Sequence, residues 1–572
     1  MAREKNKVKG PSKAELRKKE QDKARAVKVK AKEKADKEAA KALQKAKDEV
    51  MKSYVKVVNR IDMHPTKAEL LGEGHSKDKL RKLFGNMTLL RDETKAAYPE
   101  AFEHLVDSSD WTEENMIQLK KEIKGYKRFV VTSAVNGCQV HPGLLESVKL
   151  YCKENNAFLL VLPSNDPAHN LDNRYHWSFD GQFKGHIAFQ ELQLNSNLFI
   201  SDIRIGAKQI NPTTGLGRIS QGAGSFIFGS PKQSLEFIPV DDNKYPHAMM
   251  STGAMTVPNY KTARFLSERT AYIAEHDHVL GGLIIEIIDD DRFHFRQFQS
   301  DAQGGFADLG KFYKKDKVTS MRPDIVFGDW HAGETDPTAK QAWKELAKHV
   351  NARDGYFHDL FNGYSISHHD RKNKIIMAQK YADDLISLEE ELALPGEELN
   401  DMSNYVEKMY IIRSNHDEFL TRYLQDGAHF NEPHNYRIGS MLSVLMIDGA
   451  DPVKCGIEST TKLKDPKKII WLDRDEGRKV AGIELGAHGD LGANGKRNPG
   501  MAGVERGYGN CVIGHTHTPA ILRGVFRVGT TSLLRLSYTK GPSSWVHCSC
   551  LVYPNGSRQL INSFDGKWRL ED

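Results

Sequence analysis

Cysteine is scarce in this sequence. The 572 residues include six, at Cys138, Cys152, Cys455, Cys511, Cys548 and Cys550. Their spacing forms neither a disulfide framework nor a zinc ribbon, and Cys548-Ser549-Cys550 is a CxC pattern, not a CxxC. The expectation is reduced thiols in a cytosolic protein. Long hydrophobic runs are missing too. No stretch approaches the roughly 18 apolar residues of a membrane span, and the N-terminal stretch lacks the apolar core of a secretion signal. Secreted and integral-membrane classes are thereby excluded. Neither G-x-G-x-x-G nor a Walker pattern occurs, so Asn136-Gly137, which follows an apolar strand, reads as a turn before it reads as a phosphate loop.

What is present describes an ordinary globular protein: 39% hydrophobic and 28% charged residues, with mean hydropathy −0.56. The length suits roughly two to four domains. The net charge of +6 is unevenly spread. Residues 1–50 hold 18 Lys/Arg against 9 Asp/Glu, while the rest of the chain holds 64 against 67. The basic character therefore belongs to a Lys/Ala-rich leader, residues 1–52, helical or disordered. Its positive excess suits counterion release on nucleic acid, and its acidic residues suit a merely solubilising arm.

Residues 53–127 read as a small helical module. Ser108-Ser109-Asp110 stands before a helix carrying Met116, Leu119 and Ile123. Residues 128–318 read as an accessory α/β domain. Phe129–Val131 predicts a strand, Pro142–Glu154 a helix and Phe158–Leu162 a second strand, the start of a parallel βαβ unit. Residues 319–572 are the most informative span. Five short apolar strands each end at once in Asp, His or Asn: Asp329 and His331 after Ile325–Phe327; Asp359 after Tyr356–Phe357; Asn415 and His416 after Met409–Ile412; His488 after Ile483–Leu485; His515 and His517 after Cys511–Ile513. The first two clusters are thirty residues apart, enough for a crossover helix at Gln341–His349 and a parallel return strand. Three Asp/Asn oxygens and four His nitrogens without sulfur suit Mn²⁺, Fe or Zn²⁺. Seven donors exceed one tetrahedral shell and match two ions sharing a carboxylate about 3.5–4 Å apart.

The ordered clusters Asp329-Trp330-His331, His358-Asp359, Ser414-Asn415-His416-Asp417, His488-Gly489 and Gly514-His515-Thr516-His517 resemble the motifs of the calcineurin-like metallophosphoesterase superfamily. The likeness covers about residues 320–570. It implies a layered β-sheet core with flanking helices, and two divalent metal ions, with Mn²⁺ the leading choice. Asp329, His331, Asp359 and His517 would hold the first ion; Asp359, Asn415, His488 and His515 would hold the second. Val525–Thr531 looks like the family's closing strand and turn. The resemblance implies catalysis with His416 as general acid, against a purely structural reading of that histidine. Arg413 is a candidate to steady a phosphate oxygen, and His368-His369-Asp370 is either a substrate-side cluster or a solvated loop. His358 and Ser414 replace glycines of the family pattern. Asn362 stands where an Asp commonly orients the catalytic histidine, leaving Asp370 or Asp417 as candidates for that task. Phe361-Asn362-Gly363 and Asn415-His416-Asp417 depart from the protein-phosphatase pattern, which argues against phosphoprotein substrates.

The leader, Val131-Thr132-Ser133-Ala134 with Asn136-Gly137, and the C-terminal module together resemble pre-early DNA-transfer proteins of large tailed coliphages. That likeness implies a DNase degrading host DNA and assisting phage DNA transfer in the cytoplasm of the infected bacterium. Its expected partners are DNA and a phage DNA-transfer partner protein, with the accessory domain a candidate for self-association. The alternatives are a phosphodiesterase or phosphatase acting on small nucleotides, and a non-enzymatic DNA-transfer scaffold. Deleting residues 1–50 is expected to lower DNA affinity and flatten its salt dependence without destroying cleavage; binding that is unchanged across a salt titration reduces the leader to a solubility arm.

Overall fold

The computed structural model describes residues 12–164, 177–203, 205, 209–241, 245–260, 268–536 and 539–571. The first eleven residues of the leader lie outside these. The described chain forms two compact units, one up to Val106 together with Asp180–Gln182, the other holding the remainder.

In the first unit the leader is one helix, Lys13–Ile61, that runs on past residue 52. Ser12 caps it, accepting from the Glu15 amide at 3.3 Å while the Glu15 carboxylate accepts from the Ser12 amide at 2.8 Å. Residues 13–45 are exposed throughout. Burial begins at Val50, where Val50, Met51, Tyr54, Val57 and Val58 pack with Leu70, Leu80, Phe84 and Leu90 of three short helices. A truncation meant to spare this core must stop short of Val50.

In the second unit the predicted βαβ start is present: Arg128–Val135 and Ala157–Ser164 pair in parallel around the helix Pro142–Glu154. The helix after residue 110 is capped by Thr112, whose hydroxyl accepts from the Asn115 amide, while Ser108–Asp110 is a separate 3-10 turn. The Asn136-Gly137 turn is held by the Ser178 backbone, as turn chemistry expects.

Two larger sheets position the strand-end residues. A six-stranded sheet runs in the order 469–472, 408–412, 354–357, 324–326, 547–552, 558–563. Its first four strands are parallel and the last two antiparallel. The crossover helix Pro337–His349 starts with Asp336 accepting from the Thr338 and Ala339 amides, and Pro337 supplies the preset first turn. Its inner face buries Ala342, Trp343, Leu346 and Ala347 against Ile325, Phe327 and Phe357. A ten-stranded sheet carries 479–480, 483–484, 511–513, 525–527 and 520–522, then continues through 230–238 into 247–253, 225–228, 198–201 and 192–195. It joins strands from both sides of residue 318 through Ile521↔Leu235 and Leu522↔Ser234. None of the six cysteines forms a disulfide, and no helix among the described residues is long and apolar enough to cross a membrane.

A buried ion network ties the accessory strands to the C-terminal ones. Arg296 donates to both Glu286 oxygens at 2.9 and 3.0 Å and to Asp308 at 2.8 Å; Arg128 and the Leu570 amide add to Glu286. Gln559 and Tyr151 complete Asp308. Burial opposes charge on Glu286, but the Arg296 guanidinium outweighs it and lowers its pKa to about 2. Because the folded value lies below the ordinary one, the stabilisation is present above about pH 4.5 and is lost as pH falls toward 2. It amounts to roughly 3 kcal/mol. Glu286→Gln should therefore be much less stable than wild type near neutrality, with the gap narrowing across that acid window in denaturant titrations. A gap that is constant with pH contradicts this assignment.

Candidate metal centre

Each predicted ligand follows a strand, and the structure brings all seven together. Asp329 lies past Asp324–Val326 on a backbone gripped by the closing turn of Val525–Thr531. The Thr531 amide and the Thr530 hydroxyl both donate to the Asp329 carbonyl, at 2.8 and 2.9 Å. Thr531 is itself fixed by Trp343, whose indole N–H donates to the Thr531 hydroxyl at 3.2 Å. The crossover helix thus holds the turn that holds Asp329.

One donor atom from each of Asp329, His331, Asp359 and His517 lies within 4.8 Å of all the others, and all four residues are buried. His331 Nε2 is 3.0 Å from His517 Nε2 and 3.8 Å from Asp359 Oδ2; His517 Nε2 is 3.3 Å from Asp329 Oδ2. A second group overlaps the first at Asp359. His488 Nε2 is 3.3 Å from Asp359 Oδ2 and 3.1 Å from Asn415 Oδ1, and His515 Nδ1 lies 3.1 Å from the same Asn415 oxygen. The first group comes from the six-stranded sheet and His517; the second draws His488 and His515 from the ten-stranded sheet.

Backbone strain concentrates here. His331 (φ 50°), Asp359 (φ 44°), His515 (φ 84°) and His517 (φ 58°) are all left-handed, a conformation costing about 1–3 kcal/mol for a side-chain-bearing residue. The turns after the strands reverse sharply enough to aim D-x-H and H-x-H pairs at one point. Gly514 is required beside them: a Cβ there would sit 2.1 Å from Asp329 Oδ1.

The donors fit a cation. Asp329 Oδ1, Asp359 Oδ1 and His517 Nδ1 are buried without a hydrogen-bond partner, and the donor set is oxygen and imidazole without sulfur. Burial and the neighbouring Asp359 carboxylate push the Asp329 carboxyl well above its usual range. Burial also opposes charge on Asp359, but His488 and His416 outweigh it and hold that carboxyl well below. Burial opposes charge on His488, and Asp359 overcomes it, raising the imidazolium to about 9. Burial and His416 lower His331 to about 3. Burial thus favours the neutral form of Asp329 and the Asp359 carboxylate the charged form of His488, in a cluster where a divalent cation would balance the carboxylates instead.

His416 lies alongside, its ring 4.7 Å from that of His331. Its Nδ1–H donates to the Asn362 backbone carbonyl at 2.6 Å, which leaves Nε2 to exchange a proton. The Asn362 side-chain oxygen is 3.2 Å from His331 Nδ1. Asn362 therefore orients both histidines, and neither Asp370 nor Asp417 supplies that contact. Asp370 pairs with Lys380, and Asp417 accepts from the Ser414 amide. Arg413 is likewise occupied, by Asp451 and Thr421.

Two residues near the ligands escaped sequence reasoning. His358 is buried with Nδ1 3.4 Å from His488 Nδ1, and Asn498, itself left-handed at φ 48°, places Oδ1 3.1 Å from His515 Nε2. His358 carried a signal as a departure from the family glycine; Asn498 carried only the turn chemistry of Asn498-Pro499-Gly500.

The chain is similar to Protein A1 of Escherichia phage T5, at 28% identity over 471 residues, covering 78% of this chain and 84% of that protein. No protein-family model and no solved structure matches it.

Saturating Mn²⁺ is expected to raise the melting temperature of the wild type. At a hundred times the dissociation constant the gain is about 2.7 kcal/mol. Asp359→Asn should abolish the response, and Gly514→Ala should weaken it. A wild-type melting temperature indifferent to Mn²⁺, Zn²⁺ and Fe²⁺ contradicts the site.

Proposed function

We propose that this chain is a metal-dependent phosphodiester hydrolase with a metallophosphoesterase-type core, acting on DNA as a DNase. The observation that carries the reading is the convergence of seven oxygen and imidazole donors into two groups sharing Asp359, with His416 held beside them. In this reading Asp329, His331, Asp359 and His517 hold one divalent ion, and Asp359, Asn415, His488 and His515 a second, with Mn²⁺ the best match. Such ions, when bound, supply Lewis-acid polarisation of a phosphoryl oxygen and acidify a water.

The protein's own residues do the rest. As the oxygen of water forms a bond to phosphorus and the bond to the sugar oxygen breaks, that oxygen needs a proton. His416, with Nδ1–H fixed on the Asn362 carbonyl, gives it from Nε2. Asn362 also keeps His331 in the tautomer whose Nε2 faces the other ligands. The exposed basic face of Lys13–Lys45 is the part of the chain suited to hold a polyanion. Similarity to a phage protein supports a phage setting, in which the activity would degrade host DNA and assist phage DNA transfer in the host cytoplasm.

Purified protein with Mn²⁺ is expected to cleave duplex or single-stranded DNA. His416→Ala should lower the rate by about 10²–10⁴-fold while keeping the Mn²⁺ thermal shift, and Asp359→Asn should lose both. Cleavage of closed circles would show internal cutting. Intact DNA alongside hydrolysis of small nucleotide esters would contradict the proposal and favour a small-nucleotide phosphodiesterase.

A further inference from the structure

We infer that a ledge formed by Phe419, His368 and His369 is the subsite for the nucleobase on the leaving-group side of the scissile phosphate. The inference rests on the hydrolase reading above and names where that substrate's departing nucleoside sits.

Phe419 is three residues beyond His416, on the first turn of the helix Asp417–Gln425. Its ring is 4.8 Å from the His416 ring at an interplanar angle of 34°. It also meets His368 edge-on at 5.0 Å and His369 at 5.9 Å, and these two imidazoles lie 3.9 Å apart. Phe419 and His368 are half-buried and His369 is exposed. Gly363 lies beneath: a Cβ there would come within 3.1 Å of the Phe419 ring, so the glycine lets the ring settle against the chain. The result is a continuous row of flat rings that begins at His416 and ends in solvent.

Direction follows from the proton transfer. The oxygen that takes the proton of His416 belongs to the departing sugar, so that sugar must lie against His416. The base attached to it then falls toward the next rings outward. Flat rings that stack on any base suit a nuclease without strict sequence choice. One cation is placed for the adjoining backbone. Arg422 follows Phe419 by three residues, hence on the same helical face, and it is exposed with no ion pair among the described residues. Arg371, by contrast, is engaged by Asp426 and by the Tyr423 ring.

The test uses full-length protein, Mn²⁺ and short oligonucleotides cut at one defined bond, each intact or bearing a single abasic residue on one side of that bond. For the wild type, the abasic residue on the leaving side should lower kcat/KM by about tenfold, and on the other side much less. His369→Ala and Phe419→Leu should shrink the intact-to-abasic ratio toward one, and Phe419→Trp should restore it. Using the ratio separates stacking from any support Phe419 gives to His416. A leaving-side ratio near one in the wild type, or an undiminished ratio in both variants, overturns the inference. Failure of the wild type to cut any oligonucleotide would instead overturn the hydrolase reading, and the subsite with it.

Discussion

Two carboxylates buried in one pocket, Asp329 and Asp359, set the requirement that the rest of the second unit meets. One oxygen of each, Asp329 Oδ1 and Asp359 Oδ1, is buried without a hydrogen-bond partner, and the imidazoles of His331, His488 and His517 are buried around them. Buried charge without a counter-charge costs several kcal/mol per ion. Burial and the Asp359 charge push the Asp329 carboxyl well above its usual range, and the Asp359 carboxylate raises the buried His488 imidazolium. A divalent cation could meet that cost instead, balancing both carboxylates at once and using the lone pairs of the clustered histidines.

The fold supplies the pocket by bringing two sheets' strand ends to one place. Parallel strands at 324–326, 354–357 and 408–412 deliver Asp329, Asp359 and Asn415 from the same edge, as parallel β-sheets with crossover helices do. The strands at 483–484 and 511–513 of the other sheet deliver His488, His515 and His517. The strained turns are tolerated because packing over-determines them. Trp343 fixes Thr531, Thr531 and Thr530 fix the Asp329 backbone, and Gly514 leaves the room that the Asp329 carboxylate occupies.

Much of this was legible in the sequence because the signal is local. Each ligand follows its apolar strand within a few residues, so pattern and order alone place seven donors at strand ends. The βαβ start at Arg128–Ser164 reads well from apolar spacing, and the crossover helix expected at Gln341–His349 is present but begins four residues earlier, at Pro337. What escaped depends on long-range pairing or on backbone atoms. The continuation of the ten-stranded sheet through Ile521↔Leu235 joins residues 286 apart, and no local pattern announces it. The orienting acceptor for His416 is the Asn362 carbonyl, a group every residue has, so searching for an Asp pointed to Asp370 and Asp417 instead. Arg413 reads as a candidate to steady a phosphate oxygen, and only the folded chain shows Asp451 claiming it. The leader reads as helix or coil from composition; its continuity past residue 52 follows from the core that begins at Val50.

The proposed centre sets seven donors around two divalent ions. Its most direct test is a count of Mn²⁺ bound per chain at saturation by equilibrium dialysis, for the wild type and for Asn415→Ala. Two ions are expected for the wild type and one for the variant, because Asn415 belongs only to the second group. A wild-type chain that binds no Mn²⁺, or binds the same number after Asn415 is removed, would contradict it.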